Sequence, residues 1–155
     1  MRTKDEPQLI CMVGLPRAGK STWVRDFYIP HGYAVVSPDT IRSVIHGKAF
    51  IQSMEHIIWG IVYAMADSLL KCGCKVVIDA TAINHSRRAS WVERGAVFHH
   101  VPTAPEICLS RACAQSNACD IIPIIHGMVR EFQPLDESKG EIEWTPPAAN
   151  IEEPK

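Results

Sequence analysis

The sequence has no stretch approaching the roughly eighteen consecutive apolar residues that a membrane span requires. Its first residues, MRTKDEPQ, lack the apolar core of a secretory signal. Both absences point to a cytoplasmic chain with no membrane partner. Surplus charge is missing too: 16 Lys and Arg against 17 Asp and Glu leave a formal net charge of -1, so no global basic field marks nucleic-acid binding. Paired CxxC ligand spacing is absent among the six cysteines, Cys11, Cys72, Cys74, Cys108, Cys113 and Cys119. Several of them lie in apolar stretches and read as reduced, buried thiols, not as a zinc site or a disulfide framework. No internal repeat or low-complexity block occurs. A chain of 155 residues with 46% hydrophobic residues suits one domain around one core.

What charge there is lies unevenly. Residues 136–155 hold six acids and two bases, which leaves residues 1–135 at +3. A modestly basic body with an acidic tail admits an anionic substrate. Along that body, short apolar runs predict strands at 9–13, 34–37, 75–79 and 97–101. Helical patterns fall between them, at 21–28, from about 39, at 51–70, from Asn84 or Ser86 to Gly95, at 105–115 and at 120–132. Pro123 is tolerable there only in a first helical turn. Strands alternating with helices imply a parallel sheet covered on both faces. The Pro-rich, acidic tail 136–155 is expected to carry one short strand or docking segment around 142–144 and then to fray.

The segment GLPRAGKS, residues 14–21, fits G-x-x-x-x-G-K-[ST] and lies between a strand and a helix, the context that motif needs. Glycines let such a backbone fold around an anion, with N–H groups and a helix N-terminus pointing inward. The loop Gly14, Leu15, Pro16, Arg17, Ala18, Gly19, Lys20, Ser21 and Thr22 therefore reads as the cradle of a nucleoside triphosphate. Lys20 reaches the β- and γ-phosphates and Ser21 joins the shell of Mg²⁺. Pro16 stiffens the loop, and Arg17 points either to solvent or to the nucleotide.

A phosphate loop alone admits ATPases, GTPases, motors and small kinases. The [NT]-K-x-D motif that reads guanine is missing, and the chain is short for a motor, which leaves a small kinase. In VVSPDTIR, Asp39 and Arg42 fall at the carboxyl end of the second strand, on the sheet edge where an acceptor lies. Asp39 there either accepts a hydroxyl proton or only begins a helix. Arg42, one turn later, either holds an acceptor phosphate or is solvated. Asp79, closing the third strand, either binds Mg²⁺ or caps the turn toward Asn84. His99 and His100 alternate across the fourth strand and so cannot share a metal. His46, His56 and His126 have no partner at ligand spacing. Trp23, Trp59 and Trp91 read as packing, with base stacking the alternative.

The segments GLPRAGKSTWVRDF, VSPDTIR, VVIDATAINHSRRASW and MVREF resemble, in order and spacing, the kinase domain of phage polynucleotide kinase. They equally resemble the wider group of small P-loop kinases around it, zeta-toxin-like enzymes included. The likeness runs over about residues 9–132. It implies an α/β P-loop NTPase of the nucleoside-monophosphate-kinase-like type, a three-layer sandwich with a central parallel sheet. It further implies a kinase domain over 1–135 with a helical lid near 105–120, and ATP with Mg²⁺ handled by Lys20 and Ser21. Asp39 becomes the general base for the acceptor hydroxyl and Arg42 the ligand of the acceptor's phosphate. Asn84, Arg87 and Arg88 match the group's segment after the third strand.

Two departures stand out. The group's lid carries two arginines four residues apart, the second stabilising the transferring phosphoryl group, whereas LSRACAQSN supplies Arg111 and places Gln115 at the other position. The task falls to Arg111 or to Arg17, or turnover is low. No phosphatase domain follows the kinase segments, unlike in the bifunctional phage enzyme. Stand-alone kinases of similar size and plan occur in phages whose DNA carries 5-hydroxymethyluracil. The expected acceptor is accordingly a hydroxyl on DNA or on a nucleotide. A small nucleotide-sugar, or a nucleotide-binding module with little transfer, is the alternative.

Overall fold

The computed structural model describes residues 6–147. At its centre runs β1 (Leu9–Val13), five apolar residues all buried, as a strand covered on both faces demands. β2 (Tyr33–Val36), β3 (Lys75–Ile78) and β4 (Val97–His100) complete a parallel sheet in the order β2-β3-β1-β4. Leu9 pairs with Val76 on one side of β1, and Ile10 pairs with Val97 on the other. The chain thus leaves β1 toward one side of the sheet and returns later to the opposite side. That reversal opens a crevice at the carboxyl end of β1.

Period-two alternation along β1 builds two separate cores. Leu9, Cys11 and Val13 face a layer that takes Ile41 from α2 (Pro38–His46), Ile58, Val62 and Ala66 from α3 (Glu55–Lys71) and Trp91 from α4 (His85–Glu93). Ile10 and Met12 face the other layer. It takes Val24, Phe27 and Tyr28 from the turns that continue α1 (Lys20–Trp23), Cys108 and Ala112 from α5 (Pro105–Cys113) and Ile125 from α6 (Ala118–Glu131). Helix, sheet and helix make three layers, the α/β sandwich that the strand–helix alternation implied. None of the helices among the described residues is long and apolar enough to cross a membrane.

Three expectations need correction. α1 does not run on as one α-helix; it passes into a π-helical turn at Val24–Tyr28. α6 begins at Ala118, so Pro123 lies beyond its first turn, where its missing N–H leaves the Cys119 carbonyl without a helical partner. Both residues are exposed, so that oxygen is open to solvent. Only Cys11 and Cys108 are buried thiols, whereas Cys72, Cys113 and Cys119 are exposed and Cys74 is half-buried. The two adjacent histidines do face opposite ways. His99 accepts or donates a 2.7 Å bond to the Tyr28 hydroxyl, and His100 stacks on Phe132.

Past α6 the chain turns back to the sheet. Phe98 N–H donates to the Ile142 carbonyl and Trp144 N–H to the Phe98 carbonyl, a parallel bridge beside β4. The end of the tail, 148–155, where fraying is expected, and the first residues, 1–5, lie outside the described residues. A buried ion pair anchors this return: Arg88 is fully buried and its Nε lies 2.9 Å from Glu141 Oε1. Arg88 also donates to the carbonyls of Ala82, Gln133 and Pro134. Burial alone pushes the Glu141 carboxyl up, but the Arg88 and His85 hydrogen bonds outweigh it and hold the group below its ordinary 4.5.

Removing one member of a buried pair strands the other charge, at a cost of about 3–5 kcal/mol. Glu141→Gln should therefore lower the unfolding free energy by that order in urea titration. Because the folded carboxyl lies below its unfolded value, the parent's contribution is complete above about pH 4.5. It drains away as pH falls through the lowered value, and Glu141→Gln should abolish that part of the acid dependence.

Candidate active site

Where β1 ends, the chain must turn sharply with β4 alongside it. A Cβ on Gly14 would sit 3.0 Å from the Val101 carbonyl oxygen, so no larger residue fits without moving β4. The Gly14 N–H is tied to the Thr81 carbonyl at 3.0 Å, and the Thr103 hydroxyl donates to the Ala18 carbonyl at 2.6 Å. Leu15 and Ala18 are buried in the core beneath, so their contribution to the loop is backbone alone. Gly19, at φ 104°, adopts the left-handed turn that glycine takes without penalty and leads directly into α1. No side chain caps α1, which leaves the N–H groups of its first turn available to an anion.

Lys20 is 7% exposed, and its ammonium donates to the Leu15 carbonyl at 2.6 Å. Burial lowers its pKa to about 8, against the opposing pull of Asp79. Ser21 Oγ donates to Asp79 Oδ2 at 2.9 Å across 58 residues of chain. Burial raises the Asp79 carboxyl, with the Ser21 hydrogen bond and Lys20 holding it back and the Asp39 charge adding to the rise. The four groups Lys20, Ser21, Asp79 and Asp39 thus share one electrostatic neighbourhood.

These donors suit Mg²⁺, which takes one or two protein oxygens together with phosphates and water. Ser21 and Asp79 supply two adjacent oxygens. Among the described residues no group of three or more His, Cys, Asp or Glu could cage an ion by itself. A metal that depends on a phosphate ligand is the kind these residues fit.

Asp39 and Arg42 lie on α2, whose first turn Ser37 caps by accepting from the Thr40 N–H. The Asp39 side chain is 86% exposed and accepts from Arg42 NH1 at 2.7 Å. Arg42 is also gripped by Glu55 of α3 through two parallel bonds of 2.8 Å. Those bonds raise the guanidinium further and hold the Glu55 carboxyl low. Glu55 escaped the sequence reading. An acid in the first turn of a helix 13 residues downstream carries no local signature of its partner, and only the packing of α2 on α3 unites them.

On the other side of the loop, Arg17, Gly19, Lys20, Ser21, Thr22, Arg111 and Gln115 line a cavity of about 340 Å³. Arg111 of α5 donates to the Arg17 carbonyl at 3.0 Å. Three cations therefore converge on a space bounded by the phosphate loop. Other candidates lie elsewhere: Asn84 caps α4 by accepting from the Arg87 N–H, Arg87 is exposed, and Arg88 is the buried anchor of the tail.

Overpacking against fixed backbone costs about 1–3 kcal/mol, so Gly14→Ala should lower the unfolding free energy by that amount and weaken anion binding at the loop. Gly60→Ala, at an open site on α3, should not lower stability, because a helical Gly-to-Ala change is favourable by about 1 kcal/mol. Parallel urea titrations and phosphate-analogue binding check both.

Comparison with known proteins agrees with this architecture. The AAA domain family matches residues 9–120. A chain of the Pnkp1/Rnl/Hen1 complex superposes with a TM-score of 0.62 at 26% identity, over 70% of this chain and 42% of that one. A chain of the Pnkp1/Rnl/Hen1 RNA repair complex gives 0.63 at 24% identity, over 84% and 48%. This chain spans less than half the length of either. A shikimate kinase from Acinetobacter baumannii in complex with shikimate gives a TM-score of 0.47 at 20% identity, over 80% and 79%. A parallel sheet, a glycine-built loop closing on a buried lysine, and a match over residues 9–120 together make this chain a P-loop protein that belongs to the AAA domain family.

Proposed function

We propose that this chain is an ATP-dependent kinase that moves the γ-phosphoryl group to a hydroxyl on DNA or on a nucleotide. One observation carries the reading: the carboxyl ends of β1, β2 and β3 bring a cation-lined loop, the Ser21–Asp79 oxygen pair and the exposed Asp39–Arg42 pair to one sheet edge. A nucleic-acid acceptor is supported by the resemblance of GLPRAGKSTW and VSPDTIR to polynucleotide kinase. The 26% identity to a chain of the Pnkp1/Rnl/Hen1 complex supports it further.

In this reading the loop N–H groups and Lys20 bind the triphosphate, and α5 with the turn at 114–117 serves as the lid. Ser21 and Asp79 would hold Mg²⁺, which supplies charge neutralisation at the phosphates. Asp39 takes the proton of the acceptor hydroxyl as its oxygen bonds to the γ-phosphorus and the bond to the bridging oxygen breaks. That bond's electron pair leaves with ADP. Arg42, held by Glu55, positions the acceptor's phosphate, and Arg17 and Arg111 supply the remaining charge. Positioning and electrostatics account for most of the catalysis.

Labelled phosphate from ATP, offered separately to 5′-hydroxyl DNA, hydroxymethyluracil DNA and small nucleotide-sugar acceptors, tests the reading. Transfer to either DNA supports it. Exclusive transfer to a nucleotide-sugar, or ATP binding with no transfer, contradicts it. Asp39→Asn keeps size and hydrogen bonding but takes no proton, and should lose roughly 10²–10⁴ in rate with ATP affinity kept. Collapse of ATP binding with the bound rate intact would instead make Asp39 structural.

The lowered Lys20 pKa sets a pH dependence of nucleotide binding. Below about pH 8 the lysine is charged before ligand arrives, and above it a proton must be taken up on binding. ATP affinity should therefore hold steady up to about pH 8 and fall by up to about tenfold per pH unit beyond it. Lys20→Met should bind weakly with no such break, as calorimetry at pH 7, 8 and 9 would record.

A further inference from the structure

Two arginines reach the cavity above the phosphate loop, and their circumstances differ. Arg111 is tied to backbone by one of its donors: its NH1 donates to the Arg17 carbonyl and lies beside Gly19. Arg17 holds a left-handed backbone, φ 66°, that a branched or long side chain disfavours and glycine adopts freely. Its guanidinium is exposed at the cavity rim. Its side-chain contact is a long one, NH2 to Asn117 Oδ1 at 3.4 Å, in the turn before α6. A strained position that carries a large cationic side chain in place of a glycine, on the cavity that Lys20 and Ser21 also line, has a cost in folding that its resting contact does not explain.

We infer that Arg17, and not Arg111, is the arginine that stabilises the transferring phosphoryl group. Arg111 is a positioning residue that straps the loop through the Arg17 carbonyl, and Asn117 parks the Arg17 guanidinium at rest. The inference rests on the kinase reading above. As the acceptor oxygen bonds to the γ-phosphorus and the bridging oxygen departs with its electron pair to ADP, charge spreads over the equatorial oxygens. Arg17 meets it with two N–H donors in a planar fork. The loop itself then supplies what Gln115, at the other lid position, does not.

Binding of a transition-state mimic separates the two roles without need of an acceptor. Affinities for ADP alone and for ADP with aluminium fluoride, each with Mg²⁺, are measured by calorimetry for the parent, Arg17→Gly, Arg17→Lys and Arg111→Ala. The parent should bind ADP and gain strongly when fluoride is added. Arg17→Gly, which relieves the backbone strain and so folds at least as well, should weaken ADP by a far smaller factor than it weakens the fluoride complex, because the charge Arg17 answers is that of the transferring group. It should lose most of the fluoride gain, in line with the roughly 10³-fold worth of such an arginine. Arg17→Lys should also lose it, because a point charge does not reproduce the fork. Arg111→Ala should weaken both ligands together and keep their ratio. A parent-like gain in Arg17→Gly, or a gain lost only in Arg111→Ala, overturns the assignment while leaving the kinase reading intact. A parent that binds no ADP overturns both.

Discussion

The site depends on one confined cation. Lys20 is buried at the base of the loop, and the contacts that hold its ammonium are the Leu15 carbonyl and the field of Asp79. An ammonium so poorly compensated has its charged form penalised, which is why its pKa falls toward neutrality. Arg17 and Arg111 add two further positive charges to the same cavity. Such an arrangement is stable only because the surroundings over-determine it: Gly14 wedged against Val101, Thr103 bonded to Ala18, and Leu15 and Ala18 sunk in the core. The loop is a receptor for negative charge, prepared by packing before any ligand arrives.

Every other functional group takes its place from the sheet. β1 lies between β3 and β4, so Asp79 at the end of β3 meets Ser21 at the start of α1, and Arg111 enters over the loop on α5, after β4. β2, on the far side of β3, delivers Asp39 and Arg42 to the same edge, and α3 supplies Glu55 to hold Arg42 in place. The tail closes the opposite flank through the Arg88–Glu141 pair and the bridge to Phe98. Arg88, which matches a kinase-group segment by position, therefore acts as structure, a role that full burial and three carbonyl contacts make plain.

Much of the fold was legible because local signals agreed with it. The apolar run at 9–13 between a polar leader and a glycine reads as a covered strand, and Asn84 opens α4 and Gly73 closes α3 as their chemistry suggests. The misreadings arose where tertiary forces override local ones. Burial of Phe27 and Tyr28 against the sheet accompanies the π-helical turn, and solvent around Pro123 tolerates a lost helical bond. In the site, the loop and Asp79 were readable from spacing. Glu55, Thr103 and Asn117 were not, because each acts on a residue at least 13 positions away and meets it only in the folded chain. The choice between Arg17 and Arg111 was open in sequence for the same reason. It turns on a backbone angle and on which atoms of the two arginines are already engaged.

The most direct test of a prepared anion cradle is a crystal structure grown with Mg²⁺ and a non-hydrolysable ATP analogue. The account predicts the triphosphate wrapped by the backbone N–H groups of residues 17–22. Lys20 Nζ should have moved from the Leu15 carbonyl to a phosphate oxygen, with the metal held by Ser21 and, directly or through water, by Asp79. A nucleotide lodged elsewhere, or a Lys20 ammonium still on the Leu15 carbonyl beneath bound phosphate, would contradict it.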